Sequence, residues 1–115
     1  MIKGIGTDII ELSRIAKVNK KDRLAGRVLS PEEYLKYESL TAEARKIEFL
    51  AGRFAVKEAY SKALGSGIGG NISFKEICCV NDSSGKPVLK NDSNAHISIS
   101  HSKDYAVAMV ILEVN

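Results

Sequence analysis

Glu58 and Lys62 stand four residues apart within GRFAVKEAYSKALGSGIGG, residues 52–70, while Asp8 interrupts the apolar start MIKGIGTDII. On a helix, an i,i+4 Glu–Lys pair in this order is an ordinary surface ion pair worth about 0.3 kcal/mol. The direction of Glu58 argues for more. Wound at about 100° per residue, the segment puts Ile47, Leu50, Ala51 and Glu58 within about 60° of Phe54. A carboxylate among such neighbours costs several kcal/mol unless a cation or hydrogen bonds compensate it. Asp8 has a modest reading too, as a cap for the next helix or an acceptor of a backbone N–H. Alternatively, Asp8 and Glu58 hold a hard cation such as Mg²⁺, which takes one or two protein carboxylates with water and substrate phosphate. That pairing implies a phosphate-bearing substrate.

Other chemistries fit less well. GSGIGG follows a helix, whereas a dinucleotide fingerprint follows a strand and opens a helix. It reads as a helix stop at Gly65 with a flexible loop, or as a loop whose backbone approaches a ligand beside Lys62. SISHSKD contains Ser, His and Asp but no nucleophile elbow, so His101 reads as a strand-end turn residue or as a donor to a phosphate. Cys78 and Cys79 are adjacent, which disfavours a mutual disulfide, and no second Cys/His cluster stands at metal-ligand spacing. They read as structural cysteines in a reducing, cytoplasmic setting.

The chain has 115 residues, 44% hydrophobic and 27% charged, with a formal net charge of +3. These values predict one domain over residues 1–115 and no membrane-spanning helix. No basic leader with a small-residue cleavage site opens the sequence, and the first residues read as a strand. The charge excess is local: residues 14–27 carry Arg14, Lys17, Lys20, Lys21, Arg23 and Arg27 against Asp22. Such a run is either a solvated helix face or a surface for something acidic, such as nucleic acid, phosphate or an acidic protein.

The elements that must position these groups begin with a strand over 2–10 and a basic helical segment over 12–24. Ser30-Pro31-Glu32-Glu33 starts a second helix, ending near Ser39, with Ser as N-cap and Glu at the capping-box position. Thr41 is the expected cap of a long third helix that stops at Gly65. NISFKEICCV reads as a strand, DSSGKPV as a turn, and HISISHSKDYAVAMVILEV as two strands joined at SKD. The pattern predicts an α+β fold, a mostly antiparallel sheet packed against the long helix, with a split βαβ arrangement as the alternative. Phe49, Val56, Tyr60 and Ala63 lie opposite the Phe54 face, which predicts burial on two sides, one of them against a neighbouring subunit.

Together, IGTDIIELSR, KIEFLAGRFAVKEAYSKALGSGIG and ISISHSKDYA resemble the holo-acyl-carrier-protein synthase family of phosphopantetheinyl transferases over nearly the whole chain. The central motif F-x-x-K-E-[AS]-x-x-K-A stands here as Phe54, Lys57, Glu58, Ala59, Lys62 and Ala63. The resemblance implies transfer of 4′-phosphopantetheine from coenzyme A to a serine of an acyl carrier protein, with release of adenosine 3′,5′-bisphosphate. It implies a homotrimer with active sites at subunit interfaces, and Mg²⁺ held by Asp8 and Glu58. By the same match Lys62 meets coenzyme A phosphates, Arg53 and the Ser61–Gly65 turn help form the nucleotide pocket, and His101 reaches in from the adjacent subunit. The serine proton would go to a metal-bound water or to Glu58. Carrier proteins are acidic, which would give Arg14, Lys17 and Lys21 a docking role. Tyr60, Ser66 and Ser102 stand where the family more often has Phe, Thr and Thr, changes that keep size or hydroxyl. The competing expectations are a nucleic-acid-binding module built on residues 14–27 and a catalytically silent oligomer. An aromatic content of 6% and the lack of Trp count against the first.

Overall fold

The computed structural model describes residues 1–65 and 72–114, so Ser66, Gly67, Gly69 and Gly70 lie outside the described residues. The chain opens with strand β1 (Ile2–Glu11), followed by helices α1 (Leu12–Val18), α2 (Arg23–Val28), α3 (Pro31–Ser39) and α4 (Glu43–Leu64). Two short strands, β2 (Cys79–Asn81) and β3 (Pro87–Leu89), form an antiparallel ribbon. Strands β4 (Ala95–His101) and β5 (Tyr105–Glu113) complete an antiparallel sheet of order β1-β5-β4. The expected α+β class and antiparallel sheet against a long helix are therefore observed.

Several local expectations give way. The basic segment is not one helix over 12–24, because the chain turns sharply between α1 and α2, with Lys21 and Asp22 at φ 56° and 57°. Thr41 does not cap α4; Ala42 occupies that position without a side-chain cap bond. NISFKEICCV is not a continuous strand, since Phe74–Glu76 forms a 3-10 turn and pairing starts only at Cys79. By contrast, Ser30 and Glu33 form the expected capping box, and Gly65 ends α4 at φ 83°.

Side chains alternate across a strand, so Gly4, Gly6, Asp8 and Ile10 of β1 share the side that faces α4. The two glycines are there for proximity. A Cβ on Gly4 would lie 2.1 Å from the Ala63 carbonyl oxygen, and one on Gly6 would lie 1.8 Å from that of Ala59. Small residues on the helix, Ala55, Ala59 and Ala63, complete the close approach, and Ala108, Val110 and Leu112 of β5 cover the same helix face.

The far side of α4 is also covered by the chain itself. Leu50 and Ala51 pack with Ile15, Leu24, Val28, Leu29 and Tyr37, while Val56 and Tyr60 pack with Ile77, Cys79 and Leu89. Two-sided burial of the helix thus needs no neighbouring subunit, which corrects the expectation drawn from its periodicity. The uncovered apolar surface is instead the outer face of the sheet. There Ile5, Ile9, Tyr105, Val107 and Met109 are 39–61% exposed, with Ile9 opposite Val107 and Thr7 opposite Met109.

Candidate active site

Asp8 and Glu58 converge for a geometric reason. Asp8 follows Gly6 on the helix-facing side of β1, and Gly6 touches Ala59, the residue after Glu58. Both carboxylates line an open cleft of about 330 Å³ whose walls include Arg14, Val18, Arg27 and Phe54. Two expectations about these groups are corrected. Asp8 does not cap α1, whose N-cap is Glu11. Nor does Lys62 form an ion pair with Glu58 among the described residues: its Nζ donates to Thr7 O at 3.0 Å and to Asp8 Oδ1 at 3.4 Å. Its stem runs across the edge of β1 rather than along the helix.

The electrostatics leave negative charge only partly answered. Burial, reinforced by the charge of Asp8 and opposed by Lys62, holds the Glu58 carboxyl above its ordinary pKa. Two carboxylates sharing one lysine make a place where a further cation is favoured. Among the described residues, no cluster of three or more His, Cys, Asp or Glu side chains is placed to hold a metal ion. A pair of carboxylates in an open cleft suits a small hard cation that keeps most of its coordination for water and phosphate oxygens.

The basic residues flank this cleft. Arg14 and Arg27 are in its wall, and Arg27 continues into a neighbouring groove of about 540 Å³ lined by Lys17, Val18, Lys20 and Arg23. Lys21 is exposed in the turn between α1 and α2.

His101 and Arg53 lie elsewhere. His101 Nε2 is 3.1 Å from Glu48 O, beside Gly52, in a second cavity of about 330 Å³ that Lys36, Arg45 and Arg53 also line. Arg53 donates Nε to Cys79 O and Nη2 to Asn81 Oδ1, each at 3.2 Å, and lies over the Phe49 ring. None of the residues lining this cavity lines the Asp8–Glu58 cleft. Ser61 is buried with its hydroxyl donating to Glu58 O at 2.8 Å, so that hydroxyl is not offered to a ligand. Gly65 is exposed at the end of α4, where its N–H caps the Ser61 and Lys62 carbonyls.

Beneath Glu58 runs a network that the sequence reading missed. Lys57 is fully buried, and its Nζ donates to Glu33 Oε1 at 2.6 Å, Phe74 O at 2.7 Å and Val28 O at 2.8 Å. Glu33 also accepts from the backbone N–H groups of Ser30 and Cys79. Phe74 in turn stacks on Phe54, a wall of the cleft. The signal was available, since position 57 falls within about 20° of Leu50 on the helical wheel. A lysine in an apolar stripe demands a buried partner.

Residues 4–110 match the model of the 4′-phosphopantetheinyl transferase superfamily. The holo-[acyl-carrier-protein] synthase of Staphylococcus saprophyticus is 53% identical, with 99% of this chain and 100% of that protein covered. The crystal structure of a holo-(acyl-carrier-protein) synthase from Bacillus anthracis in complex with CoA (3′,5′-ADP) superposes with a TM-score of 0.92 at 50% identity, covering 100% of this chain and 99% of the other. That of Helicobacter pylori holo-[acyl-carrier-protein] synthase in complex with coenzyme A gives 0.81 at 33% identity, covering 95% and 99%.

Proposed function

The chain belongs to the 4′-phosphopantetheinyl transferase superfamily, as a transferase of the holo-acyl-carrier-protein synthase kind, and on that premise we propose how its own residues carry out the transfer. The donor is coenzyme A and the acceptor a serine of an apo acyl carrier protein. The serine oxygen attacks the β-phosphorus, the bridging P–O bond breaks, and adenosine 3′,5′-bisphosphate leaves. The carrying observation is the convergence of Asp8 and Glu58 on one cleft, with Lys62 bonded to Asp8 at its rim.

Asp8 and Glu58 are the residues that would hold Mg²⁺, which supplies neutralisation of the pyrophosphate charge as it builds in the transition state. Lys62, whose Nζ is already directed at the β1 edge, adds a second positive charge to the same phosphates. The serine proton would go to Glu58, whose carboxylate lines the same cleft. Arg14, Lys17 and Lys21 attract and orient the acidic carrier protein rather than nucleic acid.

The nucleotide end of coenzyme A needs more than one copy of the chain. The cavity with His101, Arg53 and Arg45 stands apart from the Asp8–Glu58 cleft, and the exposed apolar sheet face calls for cover. A homotrimer joined through that face would bring the His101 side of one copy to the Asp8–Glu58 cleft of the next, with the Gly65 turn beside the nucleotide. The protein acts as one cytoplasmic domain supplying carrier proteins for fatty acid synthesis. Among the described residues no helix is long and apolar enough to cross a membrane.

The test is substitution of Glu58→Ala with folding followed by circular dichroism. Transfer is lost while the spectrum is kept; turnover equal to the parent's would remove Glu58 from the reaction.

A further inference from the structure

Lys21 and Asp22 are the non-glycine residues with backbone in the left-handed region among the described residues. Lysine has no local hydrogen bond with which to favour that conformation, and two such residues in succession are rarer still. Strain of this kind persists where the surroundings over-determine it. Here the surroundings are explicit. Tyr37 of α3, almost wholly buried, donates its hydroxyl to Asp22 Oδ1 at 2.6 Å and accepts from Asn19 Nδ2 at 2.9 Å. Asn19, buried at the end of α1, accepts from the Ala25 N–H of α2 through Oδ1 at 2.9 Å. Burial and the Asp22 carboxylate push the Tyr37 hydroxyl up to about 12, so it stays a donor throughout the working range.

The consequence of the turn is a surface. A straight helix over this segment would string Lys17, Lys20, Arg23 and Arg27 along about 15 Å of its length on one face about 120° wide. The strained reversal instead sets Lys17, Lys20, Arg23 and Arg27 around one groove, and Arg27 and Val18 join that groove to the Asp8–Glu58 cleft.

We propose that Tyr37 is a positioning residue for carrier-protein recognition: through Asn19 and Asp22 it holds the α1–α2 turn, and so fixes where the basic groove meets the cleft. The inference rests on the reading of that groove as the docking site. Tyr37 itself touches neither coenzyme A nor the reacting atoms in this scheme.

The experiment is steady-state transfer by the intact enzyme with apo carrier protein and coenzyme A varied separately. Tyr37→Phe raises KM for the carrier about tenfold, with kcat at saturating carrier and KM for coenzyme A kept near the parent values. Adding Asp22→Gly, which takes φ 57° without strain, restores the carrier KM. Should Tyr37→Phe fail to fold, Asp22→Ala cuts the same bond from its exposed end and must give the same rise. A carrier KM within about twofold of the parent in both variants, or an equal loss in kcat, overturns the proposal. Lys17→Glu, in the groove itself, reports on the premise separately: a raised carrier KM there, with Tyr37→Phe silent, sinks the positioning role alone, whereas an unchanged carrier KM in Lys17→Glu sinks the docking reading and this inference with it.

Discussion

Lys57 and Glu33 meet at 2.6 Å with neither side chain exposed to solvent, one residue away in sequence from Glu58. A buried ion pair is often replaceable by apolar residues of similar volume at little cost. This one is not, because it also serves the backbone: Lys57 satisfies the Val28 and Phe74 carbonyls, and Glu33 satisfies the Ser30 and Cys79 N–H groups.

Lys57→Met alone strands the Glu33 carboxylate and costs about 3–5 kcal/mol. The double variant Lys57→Met with Glu33→Leu remains destabilised by about 3 kcal/mol, since the buried Val28 carbonyl and the Ser30 and Cys79 N–H groups lose these partners, while the Phe74 carbonyl keeps the Ile77 N–H. Urea unfolding at fixed protein concentration measures both, and a double variant as stable as the parent would show that the backbone groups find other partners.

Glycines in β1 and α2 respond in opposite senses. Gly6→Ala drives a methyl group into the Ala59 carbonyl, where the ideal Cβ lies 1.8 Å away, and costs about 3 kcal/mol or more. Gly26→Ala meets nothing within 4 Å and gains about 0.5–1 kcal/mol from helix propensity. Melting temperatures of the two variants should move apart in those directions.

The titration of Glu58 reports its neighbours. Its folded pKa is raised by burial first and by Asp8 second, so the folded apo protein binds its proton more tightly than the unfolded chain does. Stability from this group is therefore present at acid pH and is lost as pH rises from the unfolded pKa through the folded one. Asp8→Asn lowers the Glu58 pKa and shrinks that loss. Carboxyl NMR of the metal-free protein checks the sign, and an upward movement would contradict the geometry.

How much of this was legible in the sequence depended on distance along the chain. Ser30, Glu33 and Gly65 announced their helix ends because capping is settled within one turn. The break between α1 and α2 was not legible, because no Gly or Pro marks it and its determinant is Tyr37, reached through Asn19 and Asp22 only in the folded state. Likewise, the wheel showed that α4 is apolar on two sides but not that residues 15–37 and 77–89 supply the second cover. Asp8 and Glu58 could be paired by the chemistry they share and by the family resemblance, not by any local pattern. That Gly6 would press β1 onto Ala59 and make the pairing possible needed the fold. The partner of Lys62 was misjudged for the same reason: its nearest carboxylate is on a strand, not one turn back on its own helix.

Oligomerisation is open to a complementation test. Met109→Lys, on the exposed sheet face, places a charge in the proposed interface, lowering the sedimentation coefficient to that of a monomer and abolishing transfer. Mixed refolding of Glu58→Ala with His101→Ala recovers part of the activity if each site draws on two copies. No recovery, with mixed oligomers formed, would confine each site to one chain.

The central claim is tested most directly by intact mass spectrometry of an apo acyl carrier protein after incubation with this enzyme and coenzyme A, with and without Mg²⁺, beside the Glu58→Ala variant. The account predicts a gain of one phosphopantetheine group with the parent enzyme and Mg²⁺, and none without the metal or with the variant. An unmodified carrier after incubation with folded parent enzyme, or full modification by Glu58→Ala, would contradict it.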